Sequence, residues 1–363
     1  MSRGIPYGSL ETDNLVKLIK LGAESDVLRA RMQYAAAEGF RRYVKPIAES
    51  ARVYPNFLPT QASGRWSVTE PPLINFPDAA KAAKKGLPNL QACFEPDIGT
   101  YILCSDWNAM HAVFMACMSS DELDIRSFRD KHDIHTLTAC QVFKLPMPPS
   151  PLEKDIHTGE LCADWRVLVN WAGKGDRRRH LMKTTRYALL NAYHYDRYGR
   201  LSAAGVLEAK DVEEQGLTFD ELLRAGLAFL KAKPGMVRFK DEFARDAIAK
   251  QEARSLYGRR RKLFGSDEKE KFKTAVSHFL QGTEVDIMEM CLIEILERFP
   301  EARLAWPSHD GLKFIFPTSV PVESVYPVVK EIIERPRQIG KYEIPLYATW
   351  EVIREGGAHV SLG

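Results

Sequence analysis

The residue in this chain with the clearest chemical use is an aspartate at the tip of a short hairpin. From Arg303 to Phe316 apolar residues alternate on both sides of Ser308-His309-Asp310-Gly311, as Leu304 and Trp306 before it and Leu312, Phe314 and Phe316 after it. That is the period-two pattern of half-buried strands, and Asp-Gly is a favoured hairpin turn pair. The carboxylate is expected on a stiff turn. One carboxylate alone does little chemistry, so a partner is sought elsewhere, and Asp106 is the candidate. Thr100 to Ser105 reads as a buried strand, and Met110, Val113, Phe114 and Cys117 then recur at helical spacing. Asp106 therefore lies at a strand-to-helix junction, with Asp106 or Asn108 as the N-cap. Two aspartates carried to β-tips by distant parts of the chain suit a pair of divalent cations about 3.5–4 Å apart, which would activate an attacking hydroxyl and stabilise the leaving oxygens. Mg²⁺ fits such a site, because it takes few protein ligands and completes its shell with water and phosphate oxygens. Taken singly, each aspartate reads as a turn or cap residue.

A second constellation lies on the helix expected over residues 176–195. Arg179, Lys183 and Tyr187 stand four apart on one face, and Asn191 continues the row. Two cations one turn apart could hold phosphate oxygens, and an aromatic plane could meet a base or sugar. The same spacing also describes a solvated basic helix face. Tyr257-Gly258 before Arg259, Arg260, Arg261 and Lys262 suits a nucleic-acid backbone, or equally a solvated loop.

The elements that must position these groups follow from periodicity. Amphipathic helices are expected between about Leu15 and Ala48, and extended structure over the Pro-, Ser- and Thr-rich residues 52–80. A helical region covers 120–145, a proline-marked insertion covers 146–175, and long helices cover 219–230, 237–253 and 269–298. A helix near 322–334 and a strand over 344–350 complete the series. Few strands separated by long helical blocks favour α+β over a doubly wound parallel sheet.

Composition is that of an ordinary globular chain: 363 residues, 45% hydrophobic and 27% charged, with a formal net charge of only +3. The cations are clustered, at Arg177–Arg179, at Arg259–Lys262 and more loosely at Lys81, Lys84 and Lys85, and local patches decide polyanion binding more than the net value does. The six cysteines lack C-x-x-C spacing and read as reduced core residues rather than a zinc or disulfide framework. Without a long apolar run or a signal-peptide pattern, a cytoplasmic, soluble protein with no membrane association is expected.

Taken together, the residues resemble the polymerase core of family A DNA polymerases, the bacterial polymerase I type. Ser63-Gly64-Arg65-Trp66-Ser67 through Leu73-Ile74-Asn75-Phe76-Pro77 is similar to that family's T-G-R-L-S-S and N-L-Q-N-I-P segment, and Ser105-Asp106-Trp107 resembles the start of motif A. Asp133-Ile134-His135-Thr136 matches D-I-H-T, and the Arg179, Lys183, Tyr187 row matches motif B. Tyr257-Gly258-Arg259-Arg260 matches Y-G-R-R, Gln281-Gly282-Thr283 with Asp286-Ile287-Met288 matches Q-G-T-A-A-D-I-M, and His309-Asp310 matches motif C. The blocks keep the family's order from about residue 50 onward.

The resemblance implies a right-hand fold with an antiparallel-sheet palm and helical fingers. It divides the chain into a vestigial thumb (1–50), palm (51–124 and 256–363) and fingers (125–255, with the 146–175 insertion). It implies that Asp106 and Asp310 hold two Mg²⁺ ions, or Mn²⁺ in their place, assisted by the Trp107 carbonyl. Arg179 and Lys183 would hold the triphosphate, with Lys183 counted among the catalytic residues, and Tyr187 would stack at the nucleotide. Arg65, Gln281, His309, Arg259, Arg260 and Lys273 would contact primer-template DNA. The implied reaction is template-directed extension of a primer 3′-hydroxyl by deoxynucleoside triphosphates.

Departures from the family pattern carry their own expectations. His111 replaces the motif A glutamate and Asn191 the motif B tyrosine, both next to the nucleotide sugar, so altered sugar discrimination is expected, extending to a primase or ribonucleotide-tolerant variant. Gly311 replaces the second acid of motif C, while Lys273 and Ser277 stand where the family has arginine and asparagine. Gly311 leaves open a non-catalytic nucleic-acid-binding replication subunit. Only about 60 residues precede Gly64-Arg65, so no proofreading exonuclease and a truncated thumb are expected, with low processivity unless a protein partner supplies thumb, clamp or exonuclease function. So reduced a polymerase suggests a phage or plasmid replication system.

Overall fold

The computed structural model describes residues 52–59, 61–75, 94–130, 132–148, 168–172, 176–191, 219–308 and 310–362, with a few isolated positions before residue 46. The expected N-terminal thumb helices, most of the 146–175 insertion and His309 lie outside the described residues.

At the centre is a five-stranded antiparallel sheet. Its middle strand, β3 (Thr100–Trp107), is the long apolar run of the sequence. It pairs on one side with β7 (Leu312–Pro317) and then β6 (Arg303–Pro307), and on the other with β10 (Ala348–Ile353) and then β11 (His359–Leu362). The alternation of side chains sets the two faces. Tyr101, Leu103 and Trp107 of β3, with Leu312, Phe314 and Phe316 of β7, enter the main core. Ile102 and Cys104 point the other way, towards Ile353 with Trp306 and Ile315. Asp106 continues this second face.

The covered face packs on α1 (Met110–Ser119), α7 (Glu268–Arg298) and α8 (Val322–Glu334), all of which contribute to the same core. α7 is 31 residues long, starts at Asp267, whose side chain accepts from the Lys269 N–H, and buries Phe272, Val276, Phe279 and Leu280. The helical block comprises α2 (Glu122–Arg129), α3 (Ile134–Phe143), α4 (Arg177–Asn191), α5 (Phe219–Ala232) and α6 (Pro234–Ala249). Two small hairpins pair β1 (Asn56–Leu58) with β2 (Ser67–Thr69) and β4 (Glu252–Arg254) with β5 (Arg260–Lys262). A third joins β8 (Arg337–Ile339) to β9 (Tyr342–Ile344).

The α+β expectation holds, and the differences from the sequence reading are local. The single helical region at 120–145 is two helices, α2 and α3, because Asp121 and Asp133 each cap a new N-terminus. The helix expected to reach Ala253 ends at Ala249, since Gln251 takes a left-handed conformation (φ 53°) and residues 252–254 join a hairpin. The last strand is cut at Pro345, which lacks the N–H a ladder needs. At the β3–α1 junction neither Asp106 nor Asn108 caps the helix. Ala109 fills the N-cap position at φ 55° without a side-chain bond, and Asn108 accepts instead from the Thr349 hydroxyl at 3.1 Å. Cys104, Cys117, Cys140 and Cys291 are buried and free, as expected, and burial pushes the Cys104 thiol up to about 11. Among the described residues no helix is long and apolar enough to cross a membrane.

Candidate active site

The hairpin tip is joined to the end of β3 by hydrogen bonds. The Trp107 N–H donates to the Asp310 carbonyl at 2.6 Å, and Ser308 N–H to Gly311 O at 2.9 Å closes the turn. The Ser105 hydroxyl donates to Leu312 O at 3.0 Å and accepts from Leu312 N–H at 3.3 Å. The structure therefore brings the backbones of the two aspartate segments together, at an open edge of the sheet where both side chains are exposed. Gly311 has a steric cause. A Cβ built there would lie 1.9 Å from the Ser105 carbonyl oxygen and 2.9 Å from the Ser308 hydroxyl. The hairpin thus cannot carry a side chain at 311 without moving off β3. Gly311→Ala is expected to lower stability by roughly 1–3 kcal/mol, the usual cost of forced overpacking, and thermal denaturation against wild type measures it.

Next to Asp310 stands a carboxylate that the sequence reading passed over. Glu284 projects from the middle of α7 with its side chain 1% exposed. Its Oε2 accepts from Arg65 Nη2 at 2.5 Å and lies 2.9 Å from His111 Nε2, while Arg65 Nη2 also reaches Asp310 Oδ1 at 3.6 Å. The other oxygen, Oε1, is buried and receives no hydrogen bond from an N–H or a hydroxyl. Burial pushes the Glu284 carboxyl up, but hydrogen bonding with His111 and Asp310 and the charges of His111 and Arg65 outweigh it and hold it at about 2. Asp310 takes the opposite shift, up to about 8, from burial, the shared hydrogen bond with Glu284 and the charge of Glu284, against the pull of Arg65. Asp106 is also raised, by burial first and then Glu284, with Lys313 opposing. The available signal was an acid in place of a small residue just after Gln281-Gly282-Thr283, inside a helix that otherwise buries apolar side chains there.

The basic row of α4 is partly engaged. Arg179 is paired through Nε with Asp133, which also caps α3 and accepts from Thr136 at 2.7 Å. Asp133-Ile134-His135-Thr136 therefore props α4 from beneath. The His135 ring sits 5.7 Å from that of Tyr187, and burial depresses His135 to about 3. Lys183 is exposed, and Tyr187 is 40% exposed. Burial raises the Tyr187 hydroxyl, and the charges of Asp310 and Asp106 raise it further. Asn191 ends α4, and its side chain is outside the described residues.

Other expected contacts are placed differently. The Trp107 side chain is 2% exposed and donates to Ile333 O at 3.2 Å, so only its backbone faces the site. Arg259 is committed to the fold rather than open for DNA: it binds Asp286 at 2.7 Å and Glu289 at 2.6 Å and lies under Gly64, whose φ of +88° and close approach leave no room for a Cβ. Gly282 and Thr283 dock this same turn on α7, with a Gly282 Cβ only 3.2 Å from Ser255 and the Thr283 hydroxyl accepting from Leu256 N–H at 2.9 Å. Arg260 is exposed on β5, Gln281 is half-buried, and Lys273 is exposed beside Glu270 at 3.3 Å.

For divalent cations the fit is favourable in one respect: abutting carboxylates at Asp310 and Glu284 and a buried carboxylate oxygen lacking a donor are what a cation would satisfy. Among the described residues, no three or more His, Cys, Asp and Glu side chains are grouped so that they could hold a metal ion by themselves. An open site completed by water and phosphate is consistent with that.

A five-stranded antiparallel sheet with two aspartates at its edge, together with a helical block that carries a basic and aromatic row, is the architecture of a right-hand polymerase fold. The fold matches the "POL domain of Pol1 from M. smegmatis complex with DNA primer-template and dNTP", with a TM-score of 0.71 and 19% identity over 96% of this chain and 56% of that one. Residues 9–156 match the family model for DNA polymerase family A. Similar curated proteins include DNA polymerase I of Borreliella burgdorferi (21% identical, 72% of this chain, 25% of that protein) and of Lactococcus lactis (24%, 86% and 33%). DNA polymerase I of Mycobacterium bovis is 26% identical over 75% of this chain and 27% of its own. Over these spans the chain is similar to DNA polymerase family A proteins, and its fold is that of a polymerase domain. It spans about a quarter to a third of the length of these relatives.

Proposed function

We propose that the chain is a template-directed DNA polymerase that adds deoxynucleotides to a primer 3′-hydroxyl. The observation that carries this reading is the joining of the Asp106 and Asp310 segments through the bond from the Trp107 N–H to the Asp310 carbonyl. Asp106, Asp310 and the Trp107 carbonyl are the groups that would hold Mg²⁺, or Mn²⁺. When bound, such ions activate the primer hydroxyl and stabilise the charge on the transferred phosphoryl group.

The protein's own contribution is placement. Lys183, exposed on α4, meets the incoming triphosphate. Arg179 joins it after exchanging Asp133 for phosphate, a swap between two anionic partners of a guanidinium. Tyr187 closes over the base and sugar, and half-buried Gln281 and exposed Arg260 and Lys273 face primer-template, as would His309. Arg65 sits between Glu284 and Asp310, where it orients the hairpin carboxylate and can reach a primer-terminal group.

A labelled primer-template incubated with deoxynucleotides and Mg²⁺ should be extended according to template sequence and should stop on chelation. An absence of extension, with DNA still bound, would favour a replication subunit that keeps the fold without the chemistry. A ribonucleotide-tolerant enzyme is the second reading, favoured by His111, which is bonded to Glu284 and thus removed from the carboxylate-bearing role its position has in the family. Extension with ribonucleotides approaching the deoxynucleotide rate supports it, and a strong deoxynucleotide preference removes it.

A further inference from the structure

Arg65 reaches Glu284 at 2.5 Å and Asp310 at 3.6 Å from the turn that precedes β2, and a turn alone does not hold a long guanidinium side chain in one place. We infer that Glu289 of α7, acting with Arg259, is a positioning residue for Arg65. The two hold residues 64–66 along α7 and so set where the Arg65 guanidinium stands beside Asp310. This rests on the polymerase reading above and names a further residue for that reaction.

The turn is gripped on both sides of Arg65. Before it, Gly64 lies against the Arg259 guanidinium, where a Cβ would come within 2.9 Å of Nη1 and 3.2 Å of Cζ. After it, the Trp66 indole N–H donates to Glu289 Oε1 at 3.2 Å. The two grips form one unit, because Arg259 Nη2 donates to Glu289 Oε2 at 2.6 Å while its Nε donates to Asp286 at 2.7 Å. One oxygen of Glu289 thus serves the turn before β2, and the other serves the turn between β4 and β5. Glu284 and Glu289 stand five residues apart, about 7.5 Å along the helix axis, and the chain neighbours Arg65 and Trp66 take one each. Two anchors fix direction as well as place, where a single one would let the turn pivot. As a source of stability the Arg259–Glu289 pair is weak, since its side chains are 29% and 31% exposed and water screens them. Its geometry suits the support of a side chain that must stand in one orientation at the site.

The test is a double-mutant cycle on the full chain, comparing wild type, Glu289→Ala, Arg65→Ala and the double variant. Single-turnover primer extension is read across nucleotide concentrations, hydrogen exchange is followed over residues 61–69, and thermal denaturation confirms each fold. Glu289→Gln, which severs only the Arg259 half, stands in should Glu289→Ala not fold. The expected result for Glu289→Ala is roughly tenfold slower extension at saturating nucleotide, with half-saturation little changed. Exchange over 61–69 should quicken by roughly tenfold or more as the turn opens locally. The double variant should extend no more slowly than Arg65→Ala, because a residue that acts through Arg65 has nothing left to position. Wild-type extension in a folded Glu289 variant, additive losses in the double variant, or unchanged exchange over 61–69 would each overturn the role of Glu289 and leave the polymerase reading standing. A wild type that extends no primer would overturn the polymerase reading, and this role in the reaction with it.

Discussion

Asp310→Asn should reduce primer extension by on the order of 10²–10³-fold while leaving primer-template affinity within a few-fold of wild type. The substitution keeps the side chain's size and its place on the turn, and the Trp107 N–H bond to the Asp310 carbonyl is a backbone contact that it does not touch. What it removes is the negative charge beside Asp106 that would hold a cation where charge develops in phosphoryl transfer. Losing one preorganised electrostatic element of that kind typically costs about 3–4 kcal/mol of transition-state stabilisation. Asp106→Asn should act alike, and the double variant should be scarcely worse than either single one, because groups serving one centre are not additive. Single-turnover extension rates set against DNA binding by fluorescence anisotropy provide the measurement. Extension by Asp310→Asn at the wild-type rate would remove the proposed chemistry.

The second large effect concerns stability and lies away from the cleft. Asp124 of α2 is fully buried between Arg186 of α4, at 2.6 Å, and Lys233, at 2.7 Å, and Lys233 also reaches Asp121 at 2.7 Å. Arg186 bonds Thr138 of α3 as well, so one hub ties α2, α3, α4 and the α5–α6 junction. Asp124→Ala would leave two buried cations short of their shared anion, and should cost about 3–5 kcal/mol, as breaking buried ion pairs does. Burial alone would raise the Asp124 carboxyl, but Arg186 and Lys233 outweigh it and hold it below its ordinary value. A depressed carboxylate stabilises the fold above its unfolded pKa of about 4, and that contribution fades as pH falls through the folded value. His135, depressed to about 3 by burial, acts earlier. The unfolded chain takes up this proton below about pH 6.5 and the folded one does not, so stability declines from there down to pH 3. Denaturant midpoints between pH 7 and pH 3 should therefore fall in wild type. In Asp124→Ala the part of the decline below about pH 4 should be smaller, and an identical profile in both would contradict the role given to the hub.

Much of this could be read from the chain itself. The period-two runs around Asp310 became β6 and β7, and the helices at 177–191, 219–232, 268–298 and 322–334 fall where their apolar spacing puts them. Those features are local: alternation, caps and turn pairs act over a few residues, so sequence carries them directly. The misses share a cause. A single proline divided the last strand, a left-handed Gln251 ended α6 early, and the cap expected at Asn108 was displaced because Thr349 of another strand took its side chain. Arg259 looked like a free cation in a basic run, yet α7 brought two carboxylates to it.

The sequence by itself determined that two aspartates would stand on stiff strand ends and that a cationic, aromatic face would run along one helix, because residue type and spacing fix both. Only the tertiary structure decided that the aspartate segments share a backbone hydrogen bond, that Gly311 is demanded by the Ser105 carbonyl, and that Glu284 arrives beside Asp310 from α7. The first two facts depend on distances between segments some 200 residues apart and the third on how α7 lies against the hairpin, and nothing in local periodicity encodes how closely two separate elements approach.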